Sequence, residues 1–180
     1  FEQAMREYLG CSFARATTSG RDAIELALDG AGYQQGDEIV VPAYTLGELI
    51  PLLQAKGLTP VPADMEEDTF NVDPACVAKR ISERTRFVLA THLLGAPCDI
   101  RRICDIASER GIVVIEDCAH GLGASVDGQK VGTFGDAAIF SHEVNKAVPT
   151  YGGGTLVTRD DKIAEKATAA LASRPRIEKP

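Results

Sequence analysis

Five short apolar runs, separated by amphipathic segments, set the strongest limit on how this sequence can fold. They are Glu38–Val41 (EIVV), Arg86–Thr91 (RFVLAT), Ile112–Ile115 (IVVI), Ala137–Phe140 (AAIF) and Gly154–Thr158 (GTLVT). A strand that is apolar on both sides leaves no face for water, so its sheet must be covered on both faces. Leu58–Ala63 reads as a further strand, although Pro60 and Pro62 weaken it.

Helical patterns fill the intervals. Phe1, Met5 and Leu9 recur at i, i+4 and i+8 over Phe1–Leu9. Ser19-Gly20 is a start signal for a helix over Arg21–Leu28. Leu46–Ala55 is an apolar helix ended by Gly57, and Pro74–Ile81 carries Asp73 at its N-cap and Pro74 at its first position. Ile100–Arg110 is closed by Gly111, and Asp160–Ala172 is the last helix. This alternation predicts an α/β protein: a three-layer α/β/α sandwich around a mostly parallel, mixed sheet. Ligands of such sheets sit beyond the carboxyl ends of strands. Thr91-His92, Glu116-Asp117 and Ser141-His142 all fall at such ends.

Length and charge narrow the function. The 180 residues suit a single domain with its own core. The net charge of −7 is dispersed and no Lys/Arg-rich run occurs, so no nucleic-acid partner is expected. No apolar run approaches the roughly 20 residues a spanning helix needs, and neither a membrane association nor a secretory leader is expected. Five cysteines, an odd number without a CxxC pair, read as reduced thiols of a cytoplasmic protein, mostly buried and binding no structural metal. The chain opens on Phe1 within a helical pattern, so it is expected to be part of a longer protein.

Three segments carry chemistry. Ser19-Gly20-Arg21 opens a helix, where free N–H groups and the helix dipole favour an anion; the alternative is a plain N-cap. Asp117 ends an apolar strand, which is costly unless it meets a cation such as a protonated pyridine nitrogen; the alternatives are a cap on the next segment or a nearby arginine. Lys146 lies between a strand end and Gly152-Gly153-Gly154 and can act as a nucleophile when its amine is neutral; the alternative is a surface lysine. Gly121-Leu122-Gly123 is no dinucleotide fingerprint, since position 126 is Val and the strand–acid–glycine order is wrong. No GxSxG, HExxH or HxH arrangement occurs around Ser19, Ser141, His92, His120 or His142.

Together the stretches TTSGRDAIELAL, GDEIVVPAYTLGELIPLLQAKGLTPVPADM, NVDP, THLLGAPCDI, VVIEDCAHGLGA, VGTFGDAAIFSHEVNK and GGGTLVT resemble the DegT/DnrJ/EryC1/StrS sugar aminotransferases, a family of pyridoxal phosphate (PLP) fold type I. EDCAH and the SHEVNK–GGG pair carry most of the likeness. The resemblance implies that Lys146 holds the cofactor as a Schiff base and that Asp117 salt-bridges its ring nitrogen. His120, at a position that is Gln or His in the family, would lie near the ring hydroxyl. Ser19, Gly20, Arg21 and Ser141 would cradle the phosphate. The implied reaction moves an amino group, from glutamate, to a keto group of a nucleotide-linked sugar. The implied assembly is a cytoplasmic homodimer with a shared active site.

Three residues depart from the family pattern. Arg21 stands where Thr is usual, Leu46 where an aromatic residue stacks on the ring (Tyr44 lies two residues earlier), and Tyr151-Gly152-Gly153-Gly154 where Gly-Glu-Gly-Gly is frequent. Family chains are about twice as long, so residues 1–180 are expected to be the PLP-binding large domain without the C-terminal small domain. Two other functions fit the same scaffold. One is a PLP-dependent dehydratase or lyase, whose known relatives carry histidine in place of the lysine. The other is a non-catalytic PLP-binding homologue, which the Arg21 and Leu46 departures allow.

Overall fold

A computed structural model describes residues 1–174 of the chain. The elements run α1 (Glu2–Leu9), β1 (Phe13–Thr17), α2 (Gly20–Ala31), β2 (Glu38–Pro42), α3 (Leu49–Ala55), β3 (Thr59–Ala63), α4 (Pro74–Arg80), β4 (Thr85–Thr91), α5 (Ile100–Ser108), β5 (Val113–Asp117), β6 (Ser125–Val126), β7 (Gln129–Lys130), β8 (Ala137–Ser141), β9 (Gly154–Thr158) and α6 (Asp161–Ser173). Seven strands form one sheet in the order β1-β9-β8-β5-β4-β2-β3. β9 pairs antiparallel with both β8 and β1, while β8, β5, β4, β2 and β3 are parallel neighbours. The sheet is therefore mixed and mostly parallel, as the apolar runs predict.

Alternate residues of each strand feed two cores. Ile39, Val41, Leu89, Ile115 and Ile139 pack beneath α2, α3 and α6, through Leu26, Leu53 and Ala167 among others. On the other face Val40, Val88 and Val114 pack against Val77 of α4 and Ile103 of α5. Met5 and Leu9 of α1 cover Ala138, Phe140 and Val157. Three layers result.

Some elements depart from the sequence reading. β1 (FARAT) is absent from the apolar runs because Arg15 interrupts it, and its pairing with β9 at the sheet edge supplies the order its composition lacks. β3 forms despite its prolines because it is the other edge strand, where missing N–H donors cost little. α3 begins at Leu49 rather than Leu46, and residues 46–48 form a turn closed by Leu49 N–H to Leu46 C=O at 2.9 Å. Of the cysteines only Cys98 and Cys118 are buried; Cys11, Cys76 and Cys104 are half-buried, and all five are free. Among the described residues no helix is long and apolar enough to cross a membrane.

One buried charge organises the middle of the sheet. Glu116 is fully inaccessible, yet its carboxylate accepts the N–H groups of Gly132 (2.8 Å), Phe134 (2.7 Å) and Gly135 (2.8 Å) and meets His92 Nε2 at 3.0 Å. His92 Nδ1 accepts the Cys98 N–H at 3.2 Å, so Nε2 carries the proton and donates to Glu116. Four donors offset the loss of water. His92, Glu116 and Cys118 bring possible ligand atoms within 4.8 Å of one another, but the carboxylate is already saturated by these donors. The turn at 132–135 leads straight into β8, so the Glu116 bonds fix where that strand starts. Glu116→Gln places an amide N–H against backbone donors. It should cost about 2–4 kcal/mol in urea denaturation, and a loss below about 0.5 kcal/mol would contradict the anchoring role.

Candidate active site

The ends of β5 and β8, the N-terminus of α2 and the loop between β8 and β9 enclose a cavity of about 280 Å³, near the small end of ligand sites. Ser19, Gly20, Arg21, Leu46, Asp117, Ser141 and Lys146 all line it. His120 lies outside the lining but touches Lys146.

The start of α2 presents donors to the cavity. Ser19 is the N-cap, with extended backbone, its Oγ accepting the Asp22 N–H at 3.1 Å and its carbonyl the Ala23 N–H at 3.0 Å. The plain capping role is therefore real, and it leaves the N–H groups of Gly20 and Arg21 with no acceptor inside the helix. Gly20 allows the helix to approach β8: a Cβ there would stand 3.2 Å from Ser141 Cβ. A Cβ on Gly154 would overlap the Ser19 carbonyl, so the glycine run after Lys146 packs directly under this turn.

Asp117 ends β5 and is half-buried. One oxygen accepts the Ala119 N–H at 2.9 Å, which is the local capping alternative. It joins no ion pair among the described residues. Burial pushes its pKa up, and the Ala119 N–H and the basic side chains nearby offset this only in part. Thr91, its register partner on β4, has a buried hydroxyl with no hydrogen-bond partner. Both side chains point to the α2 side of the sheet, since they share the alternation of Leu89 and Ile115.

The β8–β9 loop is pinned by a second buried imidazole. His142 is 2% exposed; its Nδ1 donates to Val148 C=O at 3.2 Å, so its Nε2 accepts the Thr155 hydroxyl at 2.8 Å. Burial lowers its pKa against the opposing carbonyl bond, so it stays neutral. Lys146 sits on this loop, half-buried, with its Nζ 2.7 Å from His120 Nε2. Burial and the Lys146 charge lower the His120 pKa while Asp117 raises it, and the balance is downward. A neutral His120 accepts a hydrogen bond from the Lys146 amine and orients it.

Leu46 is 57% exposed at the rim, and no aromatic side chain is among the lining residues. Ile24, Glu48, Ala119, Ile139, Glu143 and Asn145 also line the cavity, though the sequence reading did not single them out. Ile24 stands one helical turn after Gly20 and could have been found by periodicity. Glu48 carries no local signal, because it meets Arg21 across 27 positions.

A mixed, mostly parallel sheet covered by helices on both faces, with a helix N-terminus, a carboxyl and a lysine gathered at the carboxyl ends of its strands, is a three-layer α/β/α fold of the transferase type. Residues 1–173 match the DegT/DnrJ/EryC1/StrS aminotransferase family, and the chain belongs to it. It is 37% identical over 166 residues to GDP-perosamine synthase of Vibrio cholerae, covering 92% of this chain and 45% of that protein. DesI, solved in the presence of its TDP-sugar product, superposes with a TM-score of 0.87 at 36% identity, covering 93% of this chain and 42% of DesI. NtdA of Bacillus subtilis, solved with bound cofactor PMP, gives 0.87 at 30% identity, covering 92% and 38%. The chain spans about half the length of the curated relatives it matches.

Because the folded chain holds the Asp117 proton more tightly than the unfolded chain, ionised Asp117 subtracts from stability at neutral pH, and the cost fades as pH falls through its raised pKa. Asp117→Asn should therefore leave the melting temperature of the cofactor-free protein at pH 7.5 equal or higher, with the difference shrinking toward acid pH. A marked drop in thermal melting would make Asp117 a structural residue.

Proposed function

We propose that the protein is a PLP-dependent aminotransferase that passes an amino group, from glutamate, to a keto group of a nucleotide-linked sugar. The observation that carries the reading is the cavity's polarity. The start of α2 with its free N–H groups, a carboxyl whose pKa is raised by burial, and the Lys146 amine all line the one cavity. A flat ligand with a phosphate at one end and a basic ring nitrogen at the other fits these groups. When bound, the cofactor supplies an electron sink for a carbanion on the substrate carbon.

The chain's own residues do the rest. Gly20 and Arg21 N–H groups, with the Ser19 and Ser141 hydroxyls at the cradle, bind the phosphate. Asp117 keeps a proton on the ring nitrogen by supplying the adjacent negative charge. The Lys146 Nζ would hold the cofactor covalently and would carry the proton to and from the substrate carbon. His120 Nε2 holds that amine in place at 2.7 Å. Lysine at position 146, rather than histidine, supports transfer over dehydration, and the joint presence of Asp117 and Lys146 supports an enzyme over a non-catalytic homologue.

The names of GDP-perosamine synthase and of DesI with its TDP-sugar product support a nucleotide-linked acceptor. Exposed Tyr44, Leu94, Val144 and Tyr151 lie on loops around the same end of the sheet, which supports a homodimer with the site at its interface. Five free thiols support a cytoplasmic enzyme.

Glutamate and the PLP-loaded protein should yield 2-oxoglutarate in a single half-reaction. Lys146→Ala should lower its rate at least about a hundredfold; near-normal release of 2-oxoglutarate from that variant would overturn the reading. Leu46→Phe should tighten PLP binding about threefold to tenfold by adding an aromatic face at the rim, and an unchanged dissociation constant would place Leu46 away from the ring.

A further inference from the structure

Among the described residues, one ion pair joins two lining residues of this cavity, and both of its side chains are exposed. Arg21 Nη1 lies 3.1 Å from Glu48 Oε2, and the two side chains are 47% and 65% exposed. Glu48 occupies the N-cap position of α3, yet its side chain caps nothing there, and Arg21 is its partner among the described residues. Both residues line the cavity together with Ser19, and all three also line a neighbouring surface groove that includes Asp22 and Glu25.

A phosphate in the cradle would meet the Glu48 carboxylate in the same cavity. That arrangement is repulsive unless a cation comes between them. Arg21 is the residue whose own N–H already faces the cradle, and its guanidinium is on the rim of the same cavity. An exposed ion pair is weak, whereas a guanidinium forks onto phosphate through parallel, charge-assisted bonds. Release of Glu48 to water costs little because its carboxylate is already largely solvated.

Resting on the cofactor reading above, we propose that the Arg21 side chain exchanges Glu48 for the cofactor phosphate. Glu48 holds the guanidinium at the rim while the cradle is empty, and competes with the phosphate for it. Arg21 is thus a phosphate-binding residue through its side chain as well as its backbone, and Glu48 sets how tightly the phosphate is held.

The test titrates wild type, Arg21→Gln and Glu48→Gln with pyridoxal phosphate and with phosphate-free pyridoxal, following the visible absorbance. Arg21→Gln should weaken pyridoxal phosphate about tenfold and leave pyridoxal within about twofold. Glu48→Gln should tighten pyridoxal phosphate about threefold, again without moving pyridoxal. Equal losses for both ligands in Arg21→Gln, or no loss for either, would overturn the exchange. Weaker phosphate-ester binding in Glu48→Gln would also overturn it, because Glu48 would then be positioning Arg21 rather than competing for it. Wild type that binds neither ligand would overturn the cofactor reading itself, an outcome distinct from wild-type binding that the variants fail to change.

Discussion

Successive residues of a strand face opposite sides of its sheet, and at the end of β5 two acids obey that rule with opposite consequences. Glu116 points to the α5 side, wholly out of water, and is met by three backbone N–H groups and the His92 imidazole. That saturation fixes the register of β5 against the turn entering β8. Asp117, one residue on, must then point to the α2 side, where it finds one N–H and, among the described residues, no ion-pair partner. The rest of the site depends on this. β8 delivers Ser141 to the start of α2, and the loop after it delivers Lys146 toward Asp117 and His120. Glu116 is satisfied by protein alone and serves stability; Asp117 is left unsatisfied, which is what the proposed cofactor site requires of it.

Much of this was legible in the sequence because it rests on local rules. Strands that are apolar on both faces, such as IVVI, announce a covered sheet, and polar residues at their carboxyl ends mark where a ligand can lie. Ser19 before a helix and Lys146 before a glycine run are likewise local features. The parts that were not legible depend on contacts distant in the chain. The β1 strand owes its order to β9, across more than a hundred residues. Glu116 reads only as a neighbour of Asp117, and its four donors come from residues 92 and 132–135. Glu48 becomes visible only when α3 brings it beside Arg21. The extent of burial among the cysteines was also out of reach, since Cys76 and Cys104 lie on helices whose apolar stripe leaves them at its edge.

Two of the three departures from the family pattern, Arg21 and Leu46, line the same cavity. Leu46 provides apolar area without an aromatic face, and Arg21 provides charge where a hydroxyl is usual. Both face the same cavity, and the turn at 46–48 joins Leu46 to Glu48. A ring held less firmly from above can be compensated by a phosphate held more firmly at its end, because the two contacts act on one rigid ligand. Asp117 and Lys146, the proposed ring-nitrogen partner and cofactor lysine, keep the family's residues, so under the proposed function these two departures concern retention of the cofactor.

The most direct measurement is borohydride reduction of the protein in the presence of pyridoxal phosphate, followed by mass-spectrometric mapping of the modified lysine. The proposed site requires a shift in the visible spectrum on addition of the cofactor and a single reduced adduct at Lys146. An adduct at a surface lysine such as Lys56 or Lys130, with Lys146 unmodified, would contradict it.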